Sequence, residues 1–354
     1  MMTGKNIILG VALTAIIGAL FYFESLRPER NSVENAEIKV ESKVEKANKY
    51  KSAKELVGVQ EFINSGPFKI SDQIGNKVIL IDFWTYSCIN CQRTTPYLNA
   101  WWEKYEDDGL LIIGVHTPEF EFEKKYNNVL QATKTFGIKY PVVQDNDYST
   151  WTAYGNRYWP RKYLVDIDGF IVYDHIGEGG YEETENKIRE LLVERKIALD
   201  ETGEVDTDMA KPENVQDVSI RPESPEVYFG AFRNELLANG EKSKVGIQNL
   251  VNPDSINLNK LYLVGSWNIQ KEYAQNLNSD SKVIFKFKAR KVNIVAESDK
   301  PSKVKILLDG KMISEINIQN SQLYEVISLP QQGEHILELI LEDSDVRLYT
   351  FTFS

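Results

Sequence analysis

The sequence predicts an α/β domain followed by an all-β sandwich, with one apolar helix ahead of both. Three observations carry that prediction. Over residues 53–199, continuous apolar runs of strand length alternate with longer helix-compatible stretches, the pattern of a sheet flanked by helices. Over residues 226–354, short segments alternate apolar and polar side chains at regular spacing, the pattern of an antiparallel sandwich. Residues 6–23 are uncharged and mostly apolar, as a transmembrane helix requires.

That first stretch lies at the lower end of spanning length. Glu24-Ser-Leu-Arg-Pro follows it without a small-residue cleavage site, which favours an uncleaved anchor over a removed signal peptide. Flanking charge orients it poorly, since Lys5 stands on one side and Arg27 and Arg30 on the other. Residues 24–52 are rich in Glu, Lys, Asn and Ser and read as a solvated tether, helical in part.

Within the α/β domain, residues 78–83 form a continuous apolar run and read as a buried strand. A short loop and a helix over residues 93–105 follow. Residues 110–115 make a second buried strand, 122–136 a helix, 140–143 a short edge-like strand, and 147–154 a helix that Asp147 can cap. Residues 163–173 form a hairpin turning at Asp168-Gly169. Residues 181–195 close the domain as a helix, acidic at its start and basic near its end. The acidic, proline-bearing stretch 200–225 lacks periodicity and reads as a linker. In the last domain, 226–354, strands are expected at 282–289, 291–295, 304–310, 315–318, 324–329 and 335–341.

The chemistry concentrates in Cys88-Ile-Asn-Cys91. Strand, loop and helix put Cys88 at an exposed helix N-terminus and Cys91 one turn in. Unpaired N–H groups and the helix dipole there favour an anion, here a thiolate. Arg93 is a candidate to assist it. A C-x-x-C pair so placed cycles between dithiol and disulfide. A zinc site needs four ligands, and the chain has two Cys and three His (His116, His175, His335), none in ligand spacing. Covalent haem needs a His after the second Cys, where Gln92 stands. No metal or other cofactor is expected. The net charge of -11 argues against nucleic acid as a partner. His116 and Glu119 fall just past a strand's C-terminal end, where α/β sites lie, and the structural reading of that histidine is preferred.

Ile81-Asp-Phe-Trp84, the C-x-x-C pair three residues on, and Pro96 resemble the thioredoxin family signature. The resemblance implies a thioredoxin fold. It makes Cys88 the attacking cysteine, Cys91 the resolving one, Asp82 the buried carboxylate beneath the pair, Trp84 the active-site tryptophan and Pro96 a kink in the first helix. Trp159-Pro160 falls where such proteins carry a cis proline facing the cysteines, so Trp84, Trp159 and Pro160 are expected to border a substrate groove. Several positions depart from the pattern. Ser87 stands for the usual tryptophan, Ile89-Asn90 for the usual Gly-Pro, and Trp159 for the usual Thr, Val or Ile. No charged or His residue separates the cysteines, so a reducing pair is expected, although the altered dipeptide leaves the direction of electron flow open. Thr85-x-x-Cys88 echoes a peroxidase motif, but the proline four residues earlier in that motif is Ile81 here.

The insertion over 122–154 resembles the TlpA-like branch of the family. The runs beginning at Gly114-Val-His-Thr-Pro-Glu, Tyr158-Trp-Pro-Arg-Lys and Tyr262-Leu-Val-Gly-Ser-Trp267 resemble the C-terminal region of the DipZ proteins, whose tail has a fold like carbohydrate-binding modules. This implies a membrane-anchored thiol-disulfide oxidoreductase outside the cytoplasm, acting on disulfide-bearing proteins. Electrons would come from a separate membrane donor, because DipZ proteins carry a multi-span electron-conducting domain where this chain has one apolar segment. The alternatives are a disulfide-forming oxidase, a thiol peroxidase and, from another class, a glycan- or protein-binding surface protein with a secondary redox domain. Trp267 is the candidate for stacking on a sugar, with a core role preferred.

Overall fold

The computed structural model describes residues 41–216 and 221–354. The expected anchor over 6–23 and most of the tether lie outside them. Among the described residues no helix is long and apolar enough to cross a membrane. The chain parts into two units, Met1–Lys46 and Ala47–Ser354. Helix α1 (Lys43–Lys49) opens on a reciprocal cap: the Ser42 N–H donates to Glu45 Oε2 at 2.8 Å and the Glu45 N–H to Ser42 Oγ at 3.3 Å.

The first sheet has seven strands: β1 (Lys51–Ser52), β2 (Phe62–Ile63), β3 (Val78–Trp84), β4 (Leu110–His116), β5 (Val142–Gln144), β6 (Arg161–Val165) and β7 (Phe170–Ile176). Their order is β1-β7-β6-β3-β4-β5-β2. The strands β3, β4 and β5 are parallel neighbours, and the hairpin β6–β7 lies antiparallel to β3. Helices α2 (Ile89–Tyr105), α3 (Tyr126–Thr135), α4 (Ser149–Ala153) and α5 (Tyr181–Ala198) complete the layers. Every residue of β3 is buried, which is why its sequence is apolar without alternation. Side chains still sort by period two. Val78, Leu80 and Trp84 enter the core that holds Cys91 and α5, whereas Ile79, Ile81 and Phe83 enter the opposite one.

Several elements differ from expectation. The stretch 122–136 is not one helix, because extended backbone at Lys125 separates a short 3-10 turn (Glu121–Lys124) from α3. Strand β5 is not at an edge, since β2 pairs along its outer side. Asp147 does not cap α4. Asp145 accepts the Thr150 and Trp151 N–H groups at 2.9 and 2.8 Å, and Asp147 instead accepts Gln60 Nε2. Lys51 and Ser52, expected in the tether, pair with β7. The first part of the expected linker packs on the α/β domain: Val205 is buried, the Ala210 N–H donates to Glu185, and Lys104 pairs with Asp206 at 2.9 Å.

The second domain is β-rich, with β8 (Val227–Tyr228), β9 (Gly246–Leu250), β10 (Leu261–Ile269), β11 (Ala274–Asn276), β12 (Ser281–Glu297), β13 (Ser302–Leu308), β14 (Lys311–Ile318), β15 (Gln322–Leu341) and β16 (Arg347–Phe353). These strands form one continuous hydrogen-bonded network, not two separately bonded sheets. The reason is the length of β12 and β15. One stretch of β12 pairs with β10 and a later stretch with β16, and β15 follows it along most of its length. Register shifts at Ala289/Lys291 and Val292/Asn293 let the strand bend instead of ending, so segments 282–289 and 291–295 are one strand, as are 324–329 and 335–341. Trp267 is fully buried in this core and donates its Nε1–H to Val264 O at 3.0 Å. It has no face to offer a sugar.

The two domains meet at loops that leave the C-terminal ends of β3 and β4. Tyr349 packs its ring on Phe120 and Phe122 at 5.0 and 4.8 Å. Tyr86 donates its hydroxyl to Ser321 O at 3.0 Å, and Arg233 pairs with Glu119 at 2.7 Å.

One buried acid ties α2, α5 and the first part of the linker together. Trp101 Nε1–H and the Tyr105 hydroxyl donate to Glu185 at 2.9 and 2.7 Å. Glu185→Ala strands both donors in the core and is expected to cost about 2–5 kcal/mol. Urea unfolding followed on the redox domain measures this.

Candidate active site

The cysteine pair sits where β3 hands over to α2. Cys88 is the N-cap of α2, with extended backbone at φ -76°, and the Cys91 N–H donates to Cys88 Sγ at 3.4 Å. A sulfur here occupies the capping position that an oxygen normally fills. Cys88 is half-buried and Cys91 buried. Burial is the main cause that pushes the Cys91 thiol well above its ordinary range, with Cys88 adding to it. Cys91 therefore needs a base before it can act as a nucleophile.

A second desolvated group, the Asp82 carboxyl, lies in the same core. By the period of β3 its side chain shares the face of Leu80 and Trp84, the face that packs on Cys91. It is almost fully buried, and its Oδ1 has no hydrogen-bond partner. Desolvation raises its carboxyl from 3.8 to about 7, against the attraction of Lys162. Gly114 is its neighbour on β4. A Cβ at that position would come within 3.0 Å of Trp84 Nε1 and 3.2 Å of Tyr140, so the glycine makes room for the tryptophan beside the acid.

Lys162 was not foreseen as a site residue. It lies directly opposite Asp82 in the β3–β6 register, so both side chains emerge on one face. It is fully buried, and its Nζ donates to Gly177 O at 3.2 Å. Burial lowers its ammonium below the usual range, and the charges of Asp82, Cys91 and Glu178 oppose that shift. In sequence it is one charged residue between Arg161 and Tyr163. Only the strand period combined with the register shows that it faces inward.

The other expected residues divide. Trp84 is 2% exposed and packs edge-on against His116 at 5.2 Å. It supports the site from below and does not border an open groove. His116 is fully buried, stacked on Tyr86 at 5.7 Å, and burial lowers its imidazole to about 3, so it is structural and neutral. Glu119 is held by Arg233 and Tyr228. Arg93 does not serve Cys88, because its guanidinium is buried against Glu178 at 3.1 Å. The Trp159-Pro160 bond is cis. Trp159 is half-buried, donates its Nε1–H to Thr117 O at 3.0 Å and packs on Trp151 at 4.3 Å. It lines a cleft of about 290 Å³ shared with Tyr148, Tyr228, Phe232 and Lys271, so the second domain supplies much of the wall facing Trp159. Pro96 lies within α2, which continues through it.

The raised carboxyl at Asp82 carries a stability consequence. Between about pH 4 and 7 the unfolded chain ionises this acid while the folded protein keeps it protonated. The folded state therefore binds more protons, and stability falls as pH rises through that window. Asp82→Asn removes the penalty. It is expected to stabilise by on the order of 4 kcal/mol at pH 8 and by little near pH 4, read from denaturation curves at both pH values.

Comparison with known proteins agrees with this geometry. Residues 53–174 match the AhpC/TSA family and residues 224–354 the family described as thioredoxin like C-terminal domain. The chain is 32% identical over 307 residues to the protein DipZ of Mycobacterium bovis, covering 85% of this chain and 43% of that protein. It is 29% identical over 140 residues to the thiol-disulfide oxidoreductase YkuV of Bacillus subtilis, covering 40% of this chain and 93% of that one. It is also 29% identical over 133 residues to the thiol-disulfide oxidoreductase ResA of Bacillus thuringiensis, covering 35% of this chain and 74% of that one. With a dithiol at a helix N-terminus, a buried acid in the same core and these matches, residues 53–174 form a thioredoxin-like domain similar to thiol-disulfide oxidoreductases.

Proposed function

We propose that the protein reduces disulfides in other proteins outside the cytoplasm, anchored through residues 6–23 and resupplied with electrons by a separate membrane donor. The observation that carries the chemistry is a desolvated carboxyl at Asp82 on the same face as a desolvated thiol at Cys91.

The reaction runs in two exchanges. The Cys88 thiolate attacks one sulfur of the substrate disulfide, forms a mixed disulfide and expels the other substrate sulfur as a thiolate. Cys91 passes its proton to Asp82 and attacks Cys88 Sγ, expelling the second substrate thiolate. The protein is left as the Cys88–Cys91 disulfide, and two electrons have moved to the substrate. The donor returns two electrons to restart the cycle. Trp159 and Pro160 border the approach of the substrate chain, and the second domain shapes that approach through the shared cleft.

The reducing direction follows from what stabilises each state. Strong oxidants in this chemistry stabilise their reduced form through a low attacking-thiol pKa. Here no charged residue lies between the cysteines, Arg93 is committed to Glu178, and Cys91 is buried. The peroxidase reading is less favoured, because Thr85 is fully buried with its hydroxyl 3.4 Å from His116 Nε2. The glycan-binding reading has lost Trp267, its candidate residue.

Equilibration with glutathione, followed by alkylation and mass measurement, should give a potential close to that of thioredoxin, about -270 mV. A value near the oxidant class, about -120 mV, would make the protein a disulfide-forming enzyme. Cys91→Ser should accumulate the mixed disulfide with substrate, and Asp82→Asn should slow its resolution roughly a hundredfold at neutral pH. If only Cys88→Ser traps substrate, the two cysteine roles are reversed.

A further inference from the structure

The loop before the cysteines is held by an acid from another loop. Glu123, in the 3-10 turn after β4, is fully buried. Its Oε1 faces the Ser87 hydroxyl at 2.6 Å and the Ser87 N–H at 3.3 Å. Its Oε2 accepts the Glu119 N–H at 2.6 Å and the Phe120 N–H at 3.0 Å. Three of the four contacts are backbone N–H groups, which only donate, and the fourth is a hydroxyl able to donate. An ionised carboxylate, which only accepts, satisfies all four. Ser87 is itself 1% exposed and precedes Cys88 in the chain, so the acid holds the residue next to the attacking cysteine.

We propose that Glu123 is a positioning residue whose buried negative charge, held beside the cysteine loop and partly offset by the Ser87 hydroxyl, makes the Cys88–Cys91 pair more reducing. This rests on the reductase reading and explains how the chain sets the potential with Ser87 in the position before the first cysteine. The physical argument is a charge balance. Reduction converts the neutral disulfide into a dithiol whose reactive form is the Cys88 thiolate. A fixed negative charge nearby disfavours that thiolate and leaves the disulfide untouched. The reduced state is raised in free energy and gives up its electrons more readily. Burial strengthens the effect, because little water screens the pair.

The groups around Glu123 do not cancel it. Glu119 on the same loop, Tyr86 on the cysteine loop and Tyr148 before α4 are the titratable neighbours. Arg233 from the second domain is the nearby cation, and it is paired with Glu119. Burial, with the charge of Glu119 adding to it, outweighs the hydrogen bonds with Ser87, Thr85 and Phe120 and leaves the Glu123 carboxyl above its ordinary range, so the measurement is made at pH 8, where ionisation is most favoured.

The test is the equilibrium in which the protein disulfide and two glutathiones exchange with the protein dithiol and one glutathione disulfide, in the described protein and two variants. Glu123→Gln keeps the shape and removes the charge. It should shift the equilibrium at least tenfold toward the dithiol, about 30 mV for this two-electron couple. Ser87→Ala keeps the charge and removes the hydroxyl that offsets it, and should shift the equilibrium the other way. If Glu123→Gln leaves the equilibrium unchanged, or if both variants move it in the same direction, the contact only shapes the loop and the proposal fails. Should Glu123→Gln not fold, Ser87→Ala decides: a shift toward the disulfide supports the proposal, and no shift or the opposite one overturns it. The failure of the underlying reading would appear separately, as an oxidant-class potential in the unsubstituted protein.

Discussion

The structure turns on a carboxyl kept out of water. Asp82 sits in a strand whose every residue is buried, with Lys162 opposite it and Cys91 on the same face. Burying either charge alone would be costly. Here each group shifts toward its neutral form, the acid upward and the lysine downward. The result is a buried acid and a buried lysine, both desolvated, in the core that also holds the Cys91 thiol. The apolar run of β3, the glycine at 114 and the tryptophan at 84 all serve to keep that place dry.

The second domain belongs to the same arrangement. Its contacts fall on Tyr86, Glu119, Phe120 and Phe122, on the loops that carry the cysteines and Glu123. It also walls the cleft beside Trp159. These loops are packed on one side against the second domain.

Much of this was legible in the sequence, and the limits have physical causes. The β3 run, the C-x-x-C pair, the cis Trp159-Pro160 bond and the buried Asp82 all follow from local pattern or from motif. The residues that were missed act through register. Lys162 looks like a solvated strand residue until β6 is laid against β3, and Glu123 looks like an ordinary acid early in a helix until the loop after β4 is folded over Ser87. Trp84 was misplaced for the related reason that a motif gives position along the chain and not depth. The long bent strands β12 and β15 were read as pieces because the local alternation breaks at their bends, around Arg290 and again at Pro330 to Gly333.

The most direct test of the central claim is the titration of Asp82 itself, followed by carbon NMR of the labelled carboxyl with Asp82→Asn to assign the signal. The account predicts a midpoint near pH 7. A midpoint near 4, the ordinary aspartate range, would mean that the site is wet, that Asp82 is ionised throughout the physiological range, and that the proton of Cys91 leaves by another route.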